Sequence, residues 1–163
     1  MLTKYYDFKT QRSLGKQGEQ IIDQWLQSNY KVTDVSAIAR YQEIGIDRII
    51  ERKDGTSATV EYKYDMAAKR TGNIFFETVA VDIKNIPGWG WTSQADYWIF
   101  LIPQQEIIII QPGNLRLLVW QKHLFLKERT VPNKNYNTLG IPVPLSDVRK
   151  IAYQTHKLYL ERL

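Results

Sequence analysis

Asp47 lies in the segment Gly45-Ile46-Asp47-Arg48-Ile49-Ile50, and Glu61 and Lys63 lie in Val60-Glu61-Tyr62-Lys63-Tyr64. Side chains two apart on a strand share a face, so Glu61 and Lys63 emerge together while Val60, Tyr62 and Tyr64 point the other way. Between the two segments stands Arg52-Lys53-Asp54-Gly55, and an Asp-Gly pair between β-rich runs is a strong hairpin signal. A turn centred near Asp54 sets Asp47 opposite Glu61, so that two carboxylates and an amine share one patch. Side-by-side carboxylates repel unless a cation sits between them or one takes a proton. Hard oxygen ligands in small number suit Mg²⁺, which keeps several waters and takes further oxygens from a phosphate. A neighbouring Lys has a purpose where water must be positioned and charge offset on a phosphorane-like transition state. As a plain ion pair on an exposed strand, Glu61 and Lys63 would contribute at most about 1 kcal/mol. That reading leaves Asp47, set among Ile44, Ile46, Ile49 and Ile50, without a reason.

The elements that must hold these residues can be read from periodicity. From about Ser13 to Ser28, Leu14, Gly18, Ile21, Ile22, Trp25 and Leu26 recur at helical spacing, and Glu19 falls at the edge of that apolar stripe, where it can face a cleft. Strands are expected at 30–35, 43–51, 56–64, 73–81, 96–102 and 106–111, followed by a helix after Pro112-Gly113-Asn114. In the last third, 123–131 reads as a strand and 140–145 as a short extended piece. Ser146 is the expected N-cap of a helix carrying the stripe Val148, Ile151, Ala152, Thr155, Leu158 and Tyr159. The predicted class is α+β or mixed α/β, with an N-terminal helix, a central mixed sheet flanked by helices, and a C-terminal strand and helix extension. No repeat or linker divides the chain, so 1–163 is read as one domain, with a core of about 11–122 and a basic extension of about 123–163.

Asp47, a short hairpin, and Glu61-Tyr62-Lys63, preceded by a helix bearing Glu19 in Gly15-Lys16-Gln17-Gly18-Glu19-Gln20, resemble the PD-(D/E)XK, or restriction-endonuclease-like, nuclease superfamily. The likeness is closest to its small Holliday-junction-resolvase-like and phage-type branch. It spans about 13–111 and includes Thr71–Glu77, the Gly/Trp-rich loop after it, and Thr92–Phe100. Ile46 replaces the proline of the family name, a common variation. The resemblance implies a restriction-endonuclease-like core and a Mg²⁺-dependent endodeoxyribonuclease, with Mn²⁺ able to substitute. It assigns Asp47, Glu61 and Glu19 to the metal and Lys63 to the attacking water. It also implies work on recombination, repair or mobile-element DNA. Asp82-Ile83-Lys84 repeats the acid-x-Lys tripeptide but lacks an acid across a hairpin turn. The rival reading is a catalytically silent DNA-binding protein or regulatory subunit that keeps the fold.

Candidate DNA contacts are Lys16, Lys69, Arg70 and Lys84, which suit phosphates, and Trp89 and Trp91 of the Gly-rich loop, which either stack on bases or plug the end of the sheet. Thr92 or Ser93 is expected to cap a short helix and present amides to a phosphate. Glu77 reads as an edge-strand carboxylate, and His123 and His156 have no partner at ligand or triad spacing.

The 163 residues include 22 Lys and Arg against 17 Asp and Glu, and no Cys, which excludes disulfides and thiolate metal sites. The excess is uneven: residues 1–114 hold 13 basic and 14 acidic side chains, and 115–163 hold 9 and 3. A net of +6 in the last third, through Arg116, Lys122, Lys127, Arg129, Lys134, Arg149, Lys150, Lys157 and Arg162, suits a polyanion such as DNA. A homodimer is expected, because cutting both strands of a duplex or junction takes two active sites. The N-terminus has no signal-peptide pattern, and the longest aliphatic run is Ile107 to Ile110, far below the roughly 20 residues that span a bilayer. A soluble cytoplasmic protein without membrane contact is expected.

Overall fold

A computed structural model describes residues 8–158, with side chains from residue 12. Helix α1 (Phe8–Gln27) is followed by β1 (Lys31–Asp34), a short α2 (Ala39–Gln42), β2 (Arg48–Glu51), β3 (Ser57–Tyr64), α3 (Ala68–Thr71) and β4 (Asn73–Val81). Then come β5 (Ile86–Pro87), α4 (Trp89–Thr92), β6 (Tyr97–Ile102), β7 (Glu106–Ile110) and α5 (Pro112–Gln121). The chain continues with β8 (Arg129–Pro132), β9 (Asn137–Pro144), α6 (Leu145–Ile151) and β10 (Gln154–Lys157). Six strands form a mixed sheet in the order β1-β2-β3-β6-β7-β10, in which only β3 and β6 run parallel. A second, antiparallel sheet has the order β5-β4-β9-β8. The class is mixed α/β.

The mixed sheet is buried on both faces, as its near-continuous apolar strands β6 and β7 require. On one face Ile22 and Leu26 of α1 pack on Ile50, Val60, Tyr62, Ile99 and Leu101. On the other, Trp98, Phe100, Ile108 and Ile110 meet Ile74 and Phe76 of the second sheet, Leu115 and Leu118 of α5, and Leu145 and Val148 of α6. Strand alternation therefore sorts β3 between the two cores: Val60 and Tyr62 toward α1, Glu61 and Lys63 toward the second sheet.

Several sequence expectations are corrected. The strand expected at 43–51 begins only at Arg48, because Gln42 to Ile46 form a turn around Gly45, at φ +69°. The strand expected at 123–131 is reduced to β8, the chain passing from α5 through turns that end with Leu126 bonded back to Lys122. The helix expected from Ser146 through the stripe to Tyr159 stops at Ile151, and its first flanking residue is Pro144. Gln154 to Lys157 instead pair antiparallel with β7. The open edge of β7 supplies unpaired backbone donors and acceptors, and satisfying them outweighs extending a short polar helix. Val148 and Leu145 are buried on the domain and Ile151 and Ala152 pack against the same core, so this stripe needs no second copy to cover it; Tyr159 lies outside the described residues. The segment after residue 122 is woven into both sheets, through β9 on β4 and β10 on β7. Among the described residues no helix is long and apolar enough to cross a membrane.

Candidate active site

The β2–β3 hairpin sets the geometry. Gly55 donates to the Arg52 carbonyl and Arg52 to that of Thr56, while Asp54 Oδ1 accepts from both the Thr56 amide and hydroxyl. The resulting register pairs Arg48 with Val60 and Ile49 with Thr59. Continued one residue outward, it places Asp47 opposite Glu61, the pairing expected from a turn centred at Asp54. Asp47 extends β2 in effect, since its N–H donates to the Val60 carbonyl and its carbonyl accepts from Val35.

Asp47, Glu61 and Lys63 meet on the face toward the second sheet. Asp47 Oδ2 accepts the Tyr62 backbone N–H at 2.7 Å. Burial pushes the Asp47 pKa up; the Tyr62 amide opposes the shift, the nearby Glu61 adds to it, and Lys63 opposes it. Lys63 Nζ donates to Glu61 Oε1 and lies 4.2 Å from the centre of the Trp89 ring. Glu61 is 6% exposed, and among the described residues its Oε2 is buried without a hydrogen-bond partner. A buried carboxylate oxygen left bare costs several kcal/mol, on the order of 2–7, unless a ligand or water takes it. Gly45 gives that oxygen room, because a Cβ there would stand 3.1 Å from Glu61 Oε2 and from Ser93 Oγ.

Lys63 and Trp89 open onto a cleft of about 380 Å³ that also includes Asp65, Ala67, Phe75 and Phe100. Asp65 continues the 61, 63, 65 alternation and is a carboxylate that the sequence reading passed over. It accepts the amides of Ala68 at 2.9 Å and Phe75 at 3.1 Å, tying α3 and β4 to the end of β3, and burial raises its pKa. Lys69 and Arg70 stand exposed on α3 at this end of the cleft.

Glu19 is placed elsewhere. Arg48, 3% exposed and facing α1, donates to Glu19 at 2.9 Å, to Asp23 at 3.0 Å and to Asp34 at 2.9 Å, and Asp23 also accepts the Tyr62 hydroxyl at 2.8 Å. Glu19 thus joins a cation on the opposite face of the sheet from Asp47 and Glu61, in a hollow that Lys16 also lines. Among the described residues no three His, Cys, Asp or Glu side chains are grouped to hold a metal ion. Arg48 carried one signal in the sequence, a lone charge on the apolar side of β2, but its three partners come from α1 and β1.

The Gly/Trp loop forms α4. Gly88 and Gly90 let it lie directly on β4, where a Cβ at either would come within 2.6 Å of the Glu77 carbonyl. Trp89 is wedged edge-on to Trp98 at 5.0 Å and beside Phe76 and Phe100, while Trp91 packs on Phe76 yet stays 46% exposed. Thr92 and Ser93 close α4 instead of opening a helix. Thr92 donates to the Gly88 carbonyl, and the buried Ser93 hydroxyl bonds Trp98 Nε1 at 2.8 Å and the Gly45 carbonyl at 3.3 Å. Arg116, expected in the basic flank, is half-buried behind this loop. It donates to the carbonyls of Gly90 at 2.8 Å and Ser93 at 2.6 Å, and Glu61 is the acid that opposes the burial-driven fall in its pKa. Glu77 is not at an edge, since β4 lies between β5 and β9, and its Oε1 accepts the Trp89 amide. Lys84 sits in the exposed 3₁₀ turn Asp82–Lys84, whose Asp82 is held by Asn137.

The basic tail is partly neutralised. Lys122 pairs with Asp147, and Arg149 clasps the buried Glu106. Lys127, Arg129, Lys134 and Lys157 remain exposed, and Arg162 lies outside the described residues. His156 stacks on Trp25 and His123 on Trp120. No family model matches the chain, and neither the curated proteins nor the solved structures provide a match.

Proposed function

We propose that this chain is a Mg²⁺-dependent DNA endonuclease on a restriction-endonuclease-like core, hydrolysing phosphodiesters in recombination, repair or mobile-element DNA processing. The observation that carries the reading is the bare, buried Glu61 Oε2 beside Asp47 and Lys63. An oxygen-only pair of carboxylates fits a hard divalent cation, and a cation there would relieve both the orphaned oxygen and the Glu61 repulsion that adds to the burial-driven rise of the Asp47 pKa. Asp47 and Glu61 would hold Mg²⁺ or Mn²⁺. When bound, the ion supplies Lewis-acid activation of water and of the phosphoryl group. Glu19 is held by Arg48 on the other face of the sheet and would act by fixing α1 against β2.

Lys63 has the roles of orienting water and offsetting charge. It is half-buried, braced by Glu61 Oε1 and the Trp89 ring, and it faces the cleft. The opening α1, the antiparallel β1-β2-β3 meander bearing the three residues, and β6 parallel to β3 support the core assignment. Lys69 and Arg70 are the DNA contacts nearest this cleft. A pair of chains acting on two strands belongs to the same proposal. Exposed Leu117, Trp120, Leu124 and Phe125 give it an apolar surface.

The test is Mg²⁺-dependent cleavage of labelled duplex, junction, flap and single-stranded DNA. Cleavage by the wild type that Asp47→Ala and Lys63→Ala abolish, with DNA affinity retained by Asp47→Ala, supports the reading. Cleavage untouched by both substitutions sinks it, and DNA binding without cleavage of any substrate favours the silent DNA-binding protein.

A further inference from the structure

Phe75 lines two clefts at once. One, of about 380 Å³, holds Lys63 and Trp89; the other, of about 410 Å³ on the outer face of the second sheet, holds Glu77, Lys134 and Tyr136. The clefts are joined structurally as well, because Glu77 of the second accepts the backbone N–H of Trp89 in the first, at 3.2 Å. Phe75 is held in place by the strand opposite: a Cβ at Gly140 would lie 2.3 Å from the Phe75 ring, so the ring occupies the space above a residue without a side chain. Phe75 therefore stands between the two clefts, with Lys63 lining one and Lys134 and the 38%-exposed Tyr136 lining the other.

Two aromatic side chains, Phe75 and Tyr136, with Lys63 and Lys134 beside them match the chemistry of unpaired bases and their phosphates. Base–aromatic stacking contributes about 1–3 kcal/mol per base and requires bases that are not already stacked in a duplex. Glu77 sharpens the orientation. Its carboxylate would repel a phosphate, whereas it accepts from an N–H on the Watson–Crick edge of an unpaired base, thymine N3–H included, so bases face the sheet and the phosphates face the lysines.

Resting on the endonuclease reading, we infer that the two clefts meeting at Phe75 act as one groove that carries an unpaired DNA strand away from the Asp47–Glu61–Lys63 site, so that the substrate class is a single strand, flap or splayed junction arm and not continuous duplex. The full chain, in EDTA, is titrated into fluorescein-labelled oligo-dT and into a duplex of equal length, with anisotropy as the readout. Oligo-dT is expected to bind about tenfold more tightly, and Phe75→Ala and Tyr136→Ala each to weaken it by about 5-fold or more while leaving duplex binding unchanged. Phe75→Leu, which keeps an apolar side chain over Gly140, is expected to weaken oligo-dT equally and so separates loss of the π face from loss of fold. Equal affinity for the two DNAs, or oligo-dT binding indifferent to all three substitutions, overturns the groove. Asp47-dependent cleavage of duplex that is indifferent to Phe75→Leu also overturns it and leaves the endonuclease standing. Selective oligo-dT binding with no cleavage of any substrate upholds the groove and removes the endonuclease.

Discussion

Asp47 Oδ2 accepts the backbone N–H of Tyr62 at 2.7 Å, across a hairpin in which Tyr62 itself points to the opposite face. The amide belongs to the residue between Glu61 and Lys63, so one hydrogen bond aligns the Asp47 carboxylate with both functional side chains. The cost is two neighbouring acids in a buried patch, where the Glu61 charge adds to the burial-driven rise of the Asp47 pKa.

Asp47→Asn keeps an acceptor for the Tyr62 amide but loses the charge. Cleavage is expected to fall more than about 100-fold with DNA affinity little changed, and Lys63→Ala should lose cleavage likewise while also weakening oligo-dT through its lost phosphate contact. Single-turnover assays on the preferred substrate, beside anisotropy in EDTA, check both.

The raised pKa of Asp47 gives a signed pH dependence. An acid whose folded pKa exceeds its unfolded value opposes folding at pH above both. That opposition fades as pH falls through the folded value toward the unfolded one, about 3.9. Without metal at neutral pH, Asp47→Asn should therefore melt at a higher temperature than the wild type, and the difference should shrink as the buffer is taken below the usual aspartate range. Added Mn²⁺ should raise the melting temperature of the wild type only. Thermal melts across pH, with EDTA or Mn²⁺, report both effects.

Glu61 Oε2 has no hydrogen-bond partner among the described residues, and under the proposed function a cation is its expected ligand. Calorimetric titration with Mn²⁺ should show binding in the wild type and none in Glu61→Ala. Heats unchanged by the substitution would place any cation elsewhere.

Gly45 sits at φ +69° with Glu61 Oε2 and Ser93 Oγ 3.1 Å from the position of an added Cβ. Gly45→Ala should lose about 1–2 kcal/mol of stability from the left-handed backbone, seen by urea unfolding, and should weaken Mn²⁺ binding by crowding Glu61.

Arg48 is buried between three carboxylates. Arg48→Met leaves Glu19, Asp23 and Asp34 facing one another and should cost about 3 kcal/mol, measured as a shifted urea midpoint. The partners are partly exposed, so the loss should shrink in acid as they take up protons.

The hairpin was legible because its determinants are local. Asp54-Gly55 sets the turn, and strand alternation then fixes which side chains share a face. The class, α1 and most of the strands were readable for the same reason, whereas the choice between stacking and plugging for Trp89 was left open and is decided by its contacts with β4 and β6. Glu19 was misleading: an acid at the edge of an apolar stripe has the same pattern whether it reaches a metal or an arginine one strand away. The helix read through 159 failed where Thr155 and Leu158 fitted helical spacing, while the exposed edge of β7 drew 154–157 into a strand.

The amino-acid sequence alone determined that Asp47, Glu61 and Lys63 stand together, since period-two alternation and a two-strand register follow from backbone geometry over fewer than about ten residues on each side of a turn. Only the tertiary structure decided what surrounds them. The burial of Glu61 Oε2, the brace of Trp89 on Lys63, the capture of Glu19 by Arg48 and the joining of two clefts at Phe75 all arise from contacts between segments far apart in the chain. Such contacts depend on how two sheets pack face to face. No local pattern encodes that packing, because many arrangements bury the same apolar residues equally well.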